Sequence, residues 1–355
     1  MDATLACYLV FLLVILFVIT VLIRRYGSKL YIYSALAAAY SLAFLWASFQ
    51  FGRDIFDAMN MACLGLFGGG SYLLILSAVR TRSQYKITSA FFLGLALFLV
   101  FVGVDAFLIE PGWLEVTRYR IEDPKIPRKI KIAVISDLQT DSVGAFEESV
   151  LKRTMAEKPD MIVFPGDYIQ AAPPQQRQQM EVLNQLLHKV GVSAPLGVYA
   201  TQGDSEASDW TPVFHDLPVT TFESSGTVSN ECFAITGLTL NDSYQLLYKA
   251  PETDLYHIWV GHRPGFSLDD PPGNLLISGH THGGQVQIPF FGPVVTFSIV
   301  PRQWGGGGLI ELPGGKKLVI SRGIGMERGF APRIRFFCRP QLVFLDLYPA
   351  GAGKE

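Results

Sequence analysis

Residues 277–286 read ISGHTHGGQV, a stretch in which His280 and His282 stand two residues apart after an apolar run. A short apolar run bounded by glycine is typical of a buried strand, so both imidazoles are expected just beyond a strand end. Neutral imidazole is a common ligand of divalent metal ions. The stretch therefore predicts a metal site at the edge of a sheet.

Three further apolar runs end in an aspartate, and a fourth ends in a histidine. IKIAVISD, PDMIVFPGD and PLGVYATQGD end in Asp137, Asp167 and Asp204, and LYHIWVGH ends in His262. The helix-like segment FEESVLKRTMAEK separates the first two runs, and CFAITGL, KKLVIS and QLVFLDLY are further predicted strands. Since α/β sheets place their ligands at strand ends, we expect these side chains to converge with the two histidines above.

Six carboxylate and imidazole donors without a thiolate indicate a catalytic rather than a structural metal centre. This donor set suits Mn, Fe, Zn, Co or Mg, and it is too large for one tetrahedral ion. It suits two divalent ions that share a bridging carboxylate and hold the attacking and leaving oxygens of a phosphoryl group. The four cysteines form no CxxC pair, which argues against a zinc ribbon.

The N-terminal third of the chain is overwhelmingly apolar. Four of its runs reach the roughly 20 residues that a helix needs to cross a bilayer. They cover residues 3–23, 30–51, 59–79 and 87–109. The first run lacks the basic N-terminus and the cleavage site of a signal peptide, so we expect a retained anchor. Residues 1–110 are thus predicted to be a transmembrane region of about four helices, and the proline- and charge-rich segment 111–129 to be a linker.

Basic residues in the short connections set the predicted orientation in the membrane. They stand between the first and second runs and between the third and fourth: Arg24, Arg25 and Lys29, then Arg80, Arg82 and Lys86. Positively charged connections remain in the cytoplasm, so both chain ends should face away from it. A basic segment at 118–125 opposes this count. We predict a multi-pass protein of the cytoplasmic (inner) membrane with an extracytoplasmic catalytic domain.

The net charge of -2 argues against a nucleic-acid partner, because nucleic-acid-binding proteins usually show a strongly basic stripe. Basic residues nonetheless outnumber acids between positions 301 and 340. Arg322 and Arg328 in this segment are candidates for binding a substrate phosphate. The same segment can instead contact anionic lipid headgroups or be an ordinary solvated surface.

The loop IPFFGPVVTF, at 288–297, is unusually apolar. It is predicted to be a buried strand, and a loop that dips into the membrane interface is the alternative.

Over residues 131–348 the chain resembles the calcineurin-like metallophosphoesterase family. Within that family it is most similar to a membrane-attached bacterial branch, which includes YaeI-like and YkuE-like phosphodiesterases and UDP-2,3-diacylglucosamine hydrolases. The lead-in IEPGWLEVTRYRI, the signature SGHTHGGQV and the tail SRGIGMERGF…RFFCRPQ carry the resemblance. It implies that the predicted N-terminal four-helix transmembrane region is followed, over 130–350, by an α/β domain that is a two-sheet β-sandwich flanked by helices.

The resemblance also implies two divalent metal ions and their ligands. The ligand positions of the family fall on Asp137, Gln139, Asp167, Asp204, His262, His280 and His282. Asp167 would bridge the two metals, His282 would bind the first metal, and His280 would bind the second. Asp167 and Ser205 would be the catalytic residues.

Three of these positions depart from the family pattern. Gln139 stands where a histidine is expected, which should weaken the first metal site, and Asp204 replaces an asparagine while keeping an oxygen ligand. Ser205 replaces the histidine that would protonate the leaving oxygen or stabilise charge on the phosphoryl group, and losing a general acid typically costs roughly 10²–10⁴ in rate. Glu206 and His215 are the candidates to take over that role. The changes favour a pyrophosphate-type bond, whose phosphate leaving group needs less help.

The predicted function is hydrolysis of a lipid-linked phosphate or diphosphate. A UDP-2,3-diacylglucosamine-type substrate would lie on the cytoplasmic face, whereas an extracytoplasmic domain suits a polyprenyl diphosphate or a phospholipid headgroup. The alternative is a membrane pseudoenzyme that binds lipid phosphate or a protein partner without hydrolysis.

Overall fold

A computed structural model describes residues 3–27, 29–206 and 209–351. The chain divides into two compact units. One comprises Met1–Leu108 with Phe330–Arg333, and the other comprises Ile109–Gly329 with Ile334–Glu355. Of the predicted transmembrane region 1–110, Met1, Asp2 and Ser28 lie outside the described residues.

The N-terminal part contains four helices long and apolar enough to cross a membrane. They are Ala3–Tyr26, Leu30–Phe51, Ile55–Thr81 and Lys86–Gly112. Each contains one of the predicted apolar runs, so the prediction of four candidate membrane helices is confirmed.

The third and fourth of these helices are not regular throughout. The first two are α1 (Ala3–Tyr26) and α2 (Leu30–Phe51). The third joins α3 (Ile55–Cys63) to α4 (Ser71–Thr81) through a π-helical stretch, Leu64–Gly70. The fourth is α5 (Lys86–Val104), which continues into a second π-helical turn, Asp105–Ile109.

Tyrosines satisfy backbone carbonyls where the third helix departs from α-geometry. The hydroxyl of Tyr40 donates to the carbonyl of Gly65 at 2.7 Å, and that of Tyr8 donates to Met61 at 2.7 Å. A π-helical turn leaves carbonyls without their usual partners, and an apolar surrounding makes an unpaired carbonyl costly. The two tyrosines therefore supply additional hydrogen bonds to carbonyls at and just before the π-helical stretch.

In the described part of the second unit, the strands form two six-stranded sheets and a small hairpin. In chain order they are β1 (Glu115–Asp123), β2 (Ile130–Val134), β3 (Met161–Phe164), β4 (Val198–Thr201), β5 (Val219–Phe222), β6 (Gly226–Ser229), β7 (Phe233–Gly237), β8 (Tyr256–Val260), β9 (Leu275–Ser278), β10 (Gln287–Ile288), β11 (Gly292–Pro293), β12 (Gly308–Glu311), β13 (Lys317–Ile320) and β14 (Gln341–Pro349). The first sheet has the order β1-β14-β2-β3-β4-β5, and the second has the order β12-β13-β9-β8-β7-β6. Strands β10 and β11 form the hairpin.

Both sheets are parallel at their centres. In the first sheet β2, β3, β4 and β5 run parallel, and β14 pairs antiparallel with β2. In the second sheet β7, β8, β9 and β13 run parallel, while β6 and β12 are antiparallel edge strands. Parallel strands end at the same edge of a sheet, so residues that follow them meet there.

Alternating side chains build a three-layer arrangement. Met161 and Val163 of β3 belong to the apolar core that the two sheets share, whereas Ile162 and Phe164 face the helices. The helices on that outer face are α6 (Ala145–Ala156) and α7 (Gln175–Val190). The domain also contains two short helices, α8 (Leu240–Tyr244) and α9 (Arg302–Gly305). This period-two burial gives the predicted two-sheet β-sandwich flanked by helices.

The prediction of a linker over 111–129 is wrong for Glu115–Asp123. This segment is β1, which pairs in parallel with β14 along its whole length. Its sequence EVTRYRIED alternates charged residues with Val, Thr, Tyr and Ile, which favour strands. An edge strand tolerates such charges because one of its sides faces solvent.

The prediction of a buried strand in IPFFGPVVTF is also wrong. The segment is a turn and loop around β10 and β11, and the side chain of Phe290 is fully exposed. Two prolines and a glycine within six residues break strand continuity, so the segment forms only two-residue ladders.

Candidate metal centre

The three aspartates occupy equivalent places on neighbouring parallel strands. Asp137, Asp167 and Asp204 each stand three residues beyond the end of β2, β3 and β4, respectively. Because these strands are parallel and adjacent, the three carboxylates lie along one edge of the first sheet. The predicted convergence of strand-end carboxylates follows from this register.

The histidines reach the same place from the second sheet. His262 and His280 each stand two residues beyond the ends of the adjacent parallel strands β8 and β9, and His282 follows His280 by two. The sandwich thus places carboxylates from one sheet opposite imidazoles from the other.

Distances between the donor atoms define two overlapping groups. His262 Nε2 lies 3.3 Å from Asp167 Oδ2 and 3.7 Å from Asp204 Oδ2. His280 Nδ1 lies 2.8 Å from Asp204 Oδ2, and His282 Nε2 lies 3.8 Å from an oxygen of Asp137. Donors of Asp204, His262 and His280 lie within 4.8 Å of one another, as do those of Asp137, Asp167 and His262.

The loops that carry these donors have an uncommon backbone. Asp137, Gln139, Asp167, His280 and His282 all have positive φ, between 29° and 70°. Such non-glycine conformations cost about 1–3 kcal/mol each and persist where the surroundings enforce them, typically at functional sites. Here the β2 and β3 loops are tied together, because the amide of Asp137 donates to Gly166 at 3.1 Å and that of Gln139 donates to Asp167 at 2.9 Å.

Two glycines allow the close approach of the loops. A Cβ atom at Gly203 would collide with Asp167, and one at Gly279 would collide with Ser136 and with the carboxylate of Asp137. These glycines directly precede Asp204 and His280. A larger side chain at Gly203 would push apart the loops that carry Asp167 and Asp204 in the first sheet, and one at Gly279 would push His280 of the second sheet away from Asp137.

A hydrogen bond fixes the ring of His262. Its Nδ1 lies 3.0 Å from the carbonyl of Pro165, which can only accept, so Nδ1 carries the proton. Nε2 therefore faces Asp167 and Asp204 and is the ring nitrogen that a metal ion would bind. Metal-binding histidines are commonly oriented by such a bond from the other ring nitrogen.

Buried donor atoms without a protein hydrogen-bond partner show that this donor set fits divalent ions. Among the described residues, both ring nitrogens of His282 and Oε1 of Gln139 are buried and lack a hydrogen-bond partner. Such atoms are costly unless something else satisfies them. Carboxylate, amide and imidazole donors grouped in this way are suited to divalent cations. Two such ions would draw charge from a phosphoryl group and lower the pKa of a bound water.

The electrostatics of the cluster reflect its burial and crowding. Burial raises the pKa of Asp137 to about 6. Burial lowers the pKa of His262, but the carboxylates of Asp167, Asp137 and Asp204 outweigh that effect and raise it to about 10. Burial, followed by the positive charge of Arg335, holds the pKa of His282 well below its usual value. His282 is therefore neutral, which is the form that binds a metal.

Ser205 lies beside Asp167, the aspartate that follows β3. Its amide donates to Asp167 Oδ1 at 2.8 Å, and its hydroxyl donates to Glu206 Oε1 at 3.1 Å. Glu206 is buried, accepts hydrogen bonds from the amides of Tyr168 and Ile169, and has a pKa raised to about 8 by burial and by Asp167. Of the two candidates to replace a general acid, Glu206 thus lies at the site.

The other candidate, His215, lies on the surface. Its side chain is 77% exposed, and its Nδ1 lies 3.1 Å from a carboxylate oxygen of Asp216. Nothing in this arrangement directs the ring of His215 toward the strand-end donors.

Gln139 belongs to a hydrogen-bond network that the sequence did not predict. Its Nε2 donates to Gln170 at 3.0 Å and to Glu327 at 3.2 Å, and Gln170 in turn donates to Glu327. This network fixes the amide so that Oε1 is the atom left for a ligand. Glu327 lies within GMERGF, a segment that the resemblance included without assigning it a role.

Arg263 was also missed, although it directly follows His262. Its Nη2 lies 2.8 Å from Asp204 Oδ1, and its Nε donates to Oδ2 at 3.1 Å. Its place directly after a predicted metal ligand was the one feature of the sequence that could have indicated a role at the site.

The basic segment 301–340 is not one phosphate-binding patch. Arg328 lies close to the site, since its Nε donates to the carbonyl of Gln139 at 3.0 Å. Arg322 forms an ion pair with Glu115 at 3.0 Å. Lys317 pairs with Glu311, and Arg335 is completely buried. The substrate-binding roles of Arg322 and Arg328 remain predictions.

Comparison with known proteins agrees with this geometry. Residues 130–284 match the family described as calcineurin-like phosphoesterase. The chain carries a calcineurin-like metallophosphoesterase domain. The match begins at β2 and ends just after His282, so it covers all seven predicted ligand positions.

Relatives extend the similarity beyond the matched domain. The metallophosphoesterase YkuE of Bacillus subtilis is 29% identical over 261 residues, covering 67% of this chain and 87% of the relative. The phosphodiesterase YaeI of Escherichia coli is 26% identical over 259 residues, covering 67% and 90%. The UDP-2,3-diacylglucosamine pyrophosphatase LpxG of Chlamydia muridarum is 25% identical over 311 residues, covering 67% and 90%. The names of YaeI and LpxG are those of hydrolases, and YkuE is named only by its family.

Proposed function

We propose that this chain is a membrane-bound, metal-dependent hydrolase of phosphoester or pyrophosphate bonds, with a lipid-linked phosphate or diphosphate as its substrate and a role in lipid metabolism. The observation that carries the proposal is the meeting of strand-end carboxylates and imidazoles in two donor groups around Asp167 and His262. A chain that had lost its metals would have little reason to keep His282 buried with both ring nitrogens unsatisfied.

The proposed ligand set divides between two ions. Asp137, Gln139 and His282 would hold the first ion, and Asp204, His262 and His280 the second. Asp167 would bridge them. One of the two donor groups in the structure, formed by Asp204, His262 and His280, supports the proposed set for the second ion. The other group joins Asp137 to the proposed bridging residue Asp167 and also includes His262.

The chemistry at Ser205 favours a good leaving group. A serine hydroxyl donates a hydrogen bond but does not give up its proton at neutral pH. A phosphate or nucleoside monophosphate departs without full protonation, so a diphosphate linkage suits the site better than an alkyl ester. The similarity to LpxG supports a nucleotide-lipid diphosphate such as UDP-2,3-diacylglucosamine as one candidate.

The side of the membrane separates the candidate substrates. From the basic connections we propose that the metallophosphoesterase domain faces away from the cytoplasm, where a polyprenyl diphosphate or phospholipid headgroup would be the substrate. Alkaline phosphatase fused after the C-terminus is active only outside the cytoplasm. An active fusion supports this orientation, whereas an inactive but expressed fusion places the domain inside and favours the UDP-linked lipid.

A non-catalytic membrane protein that binds lipid phosphate or a protein partner is the second candidate. The observation in its favour is that the hydroxyl of Ser205 donates a hydrogen bond to Glu206. The hydroxyl is therefore engaged within the protein and not free to contact a substrate. A site of this kind would retain the metals and bind phosphate without turnover.

One experiment separates the two candidates. The full chain is purified in detergent without chelators, and bound metal is counted by elemental mass spectrometry. Wild type, Asp167→Asn and the surface control Asp216→Asn are then assayed with Mn²⁺ on bis-p-nitrophenyl phosphate, a polyprenyl diphosphate and UDP-2,3-diacylglucosamine. About two metals per chain and hydrolysis that only Asp167→Asn abolishes would establish the enzyme. Bound metal with no turnover above the Asp167→Asn background would instead establish the binding protein.

A further inference from the structure

The residues that follow the last metal-binding loop form an exposed apolar segment, here called the 288–299 hairpin. It contains no charged residue. Six of its apolar side chains are at least 46% exposed: Ile288, Phe290, Phe291, Val294, Phe297 and Ile299. Soluble surfaces rarely display so many adjacent large apolar groups, and where they do the patch usually binds something.

The tip of the hairpin puts a phenylalanine where turn geometry would select glycine. The amide of Phe291 donates to the carbonyl of Ile288 at 3.0 Å, which closes a turn over Pro289 and Phe290. Phe290 has φ of 67°, in a region that bulky residues rarely adopt. A turn with proline second and positive φ third ordinarily has glycine or asparagine at that third position. The exposed ring is therefore retained at a conformational cost, which points to a role for the ring itself.

Several backbone groups of the hairpin are already paired within the protein. The guanidinium of Arg302 donates to the carbonyls of Phe291, at 3.0 Å, and Pro293, and it lies 4.0 Å from the centre of the Phe291 ring. The amide of Val294 donates to Val286 at 3.2 Å. Carbonyls paired in this way lower the cost of moving a loop from water into lipid. An arginine at the base of an apolar loop also suits the phosphate level of a bilayer.

The hairpin is tied to the metal-binding loop. Gln287 at its base donates through Nε2 to the carbonyl of Gly283 at 3.0 Å and to that of Gly306 at 2.9 Å. Gly283 directly follows His282. A surface that holds the hairpin therefore also holds the last ligand loop close to itself.

A bilayer is the surface that the proposed membrane-bound chain would have beside it. The last helix long and apolar enough to cross a membrane ends at Gly112, and β1 begins at Glu115. We propose that the 288–299 hairpin inserts its exposed phenylalanines into the interfacial region of the bilayer that anchors the chain. Apolar side chains with an adjacent cation are the composition of such interfacial segments. This inference rests on the membrane attachment proposed above, but it concerns lipid contact alone and does not depend on whether the metal site is catalytic.

The test uses fluorescence quenching on the full chain in lipid vesicles. A parent variant replaces Cys7, Cys63 and Cys232 with serine and keeps Cys338, whose side chain is completely buried. An environment-sensitive dye is attached at Phe290→Cys, and at Leu247→Cys as the control. Leu247 is a matched position, because it is apolar and 76% exposed in the same unit. Phosphatidylcholine–phosphatidylglycerol vesicles carry a nitroxide quencher on the acyl chain, and iodide serves as the aqueous quencher.

The dye at position 290 should be quenched by the acyl-chain nitroxide several times more strongly than the dye at position 247, and it should be protected from iodide. Equal iodide quenching at both positions, with no quenching by the nitroxide at 290, would overturn the proposal. Protection at 290 that persists in detergent and coincides with 290–290 cross-linking would also overturn it, because a second copy would then cover the hairpin. Unchanged thermal unfolding of both labelled variants shows that the comparison is between folded proteins.

Discussion

Arg263 neutralises Asp204 through two contacts, with Nη2 at 2.8 Å from Oδ1 and Nε at 3.1 Å from Oδ2. Asp204 occupies the position at which the resembled family has a neutral asparagine. The arginine and the aspartate together are therefore close to the electrostatic equivalent of that asparagine. The carboxylate keeps an oxygen for a metal ion, while its extra negative charge is shared with the guanidinium.

This compensation predicts a non-additive effect on metal binding. Asp204→Asn alone should weaken Mn²⁺ binding by about tenfold or more, because it leaves the positive Arg263 unpaired next to the second ion. Adding Arg263→Gln should recover most of that loss. Calorimetric titration of metal-stripped protein should then give a coupling free energy within the roughly 0.5–3 kcal/mol that contacting residues show.

A distant ion pair supplies the control for this cycle. Arg118 lies 2.8 Å from Glu157 on the outer part of the first sheet, so Arg118→Gln should leave metal affinity unchanged. Strictly additive effects of the Asp204 and Arg263 changes would show that the two residues act independently, contrary to the compensation described here.

Restoring a histidine at position 139 should strengthen the first metal site. Gln139 offers only Oε1, since its Nε2 is engaged by Gln170 and Glu327. In Gln139→His, one ring nitrogen can donate to Glu327 while the other faces the metal, the usual arrangement of a ligating histidine. We expect Mn²⁺ affinity at the weaker site to rise by about tenfold. Changes in the groups that hydrogen-bond to metal-binding histidines typically alter metal affinity to this extent.

The matched control at this position is Gln139→Leu, which removes the oxygen donor and should lower the affinity of the same site. If Gln139→His and Gln139→Leu bind metal equally well, position 139 contributes no ligand.

The substitution Ser205→His tests the leaving-group argument. A histidine here would supply the proton that serine does not, so hydrolysis of an alkyl phosphoester should rise by about tenfold or more, towards the range attributed to general acids. Hydrolysis of a diphosphate bond should change far less, because its phosphate leaving group needs little protonation. Rates on the two substrate types, measured side by side at saturating Mn²⁺, give the comparison. Ser205→Ala should lower neither rate by more than about tenfold, and an equal gain on both substrates in Ser205→His would refute the argument.

Strand positions and the strand-end donors were predictable because both depend on local pattern. Short apolar runs ending in aspartate or histidine are visible in the chain, and parallel pairing brings the ends of such runs to one edge. The sequence alone does not show which loops cross between the two sheets. The contacts of Gln139 with Glu327 span 188 positions, so no local pattern indicates them.

The two structural corrections have a common cause. In β1 the charged residues masked an alternation that becomes clear once β14 is known to lie beside it. In the 288–299 hairpin, apolar composition suggested burial, although prolines and a glycine prevent a continuous strand. Composition indicates what a segment can contact, whereas its neighbours in space decide whether it is buried.

Arg335 is a buried cation whose loss should unfold the loop behind the metal centre. Its side chain is completely buried and donates to the carbonyls of Cys338 at 2.8 Å, Arg322 at 2.8 Å and Gly325. Gly325 in turn donates its amide to the carbonyl of Asp137 at 2.6 Å. The guanidinium thus stabilises the loop that packs against the first predicted ligand.

Arg335→Met should therefore leave several buried carbonyls unpaired and lower the free energy of unfolding by about 3–5 kcal/mol, as when one partner of a buried charged network is removed. For a domain of this size the corresponding fall in Tm is roughly 6–20 °C. Thermal unfolding of the purified full chain, followed by tryptophan fluorescence, measures it. Arg153 lies on the exposed face of α6, so the control Arg153→Met should change the free energy of unfolding by no more than about 0.5 kcal/mol. Equal Tm values for the two variants would mean that water or neighbouring groups satisfy the carbonyls that Arg335 now holds.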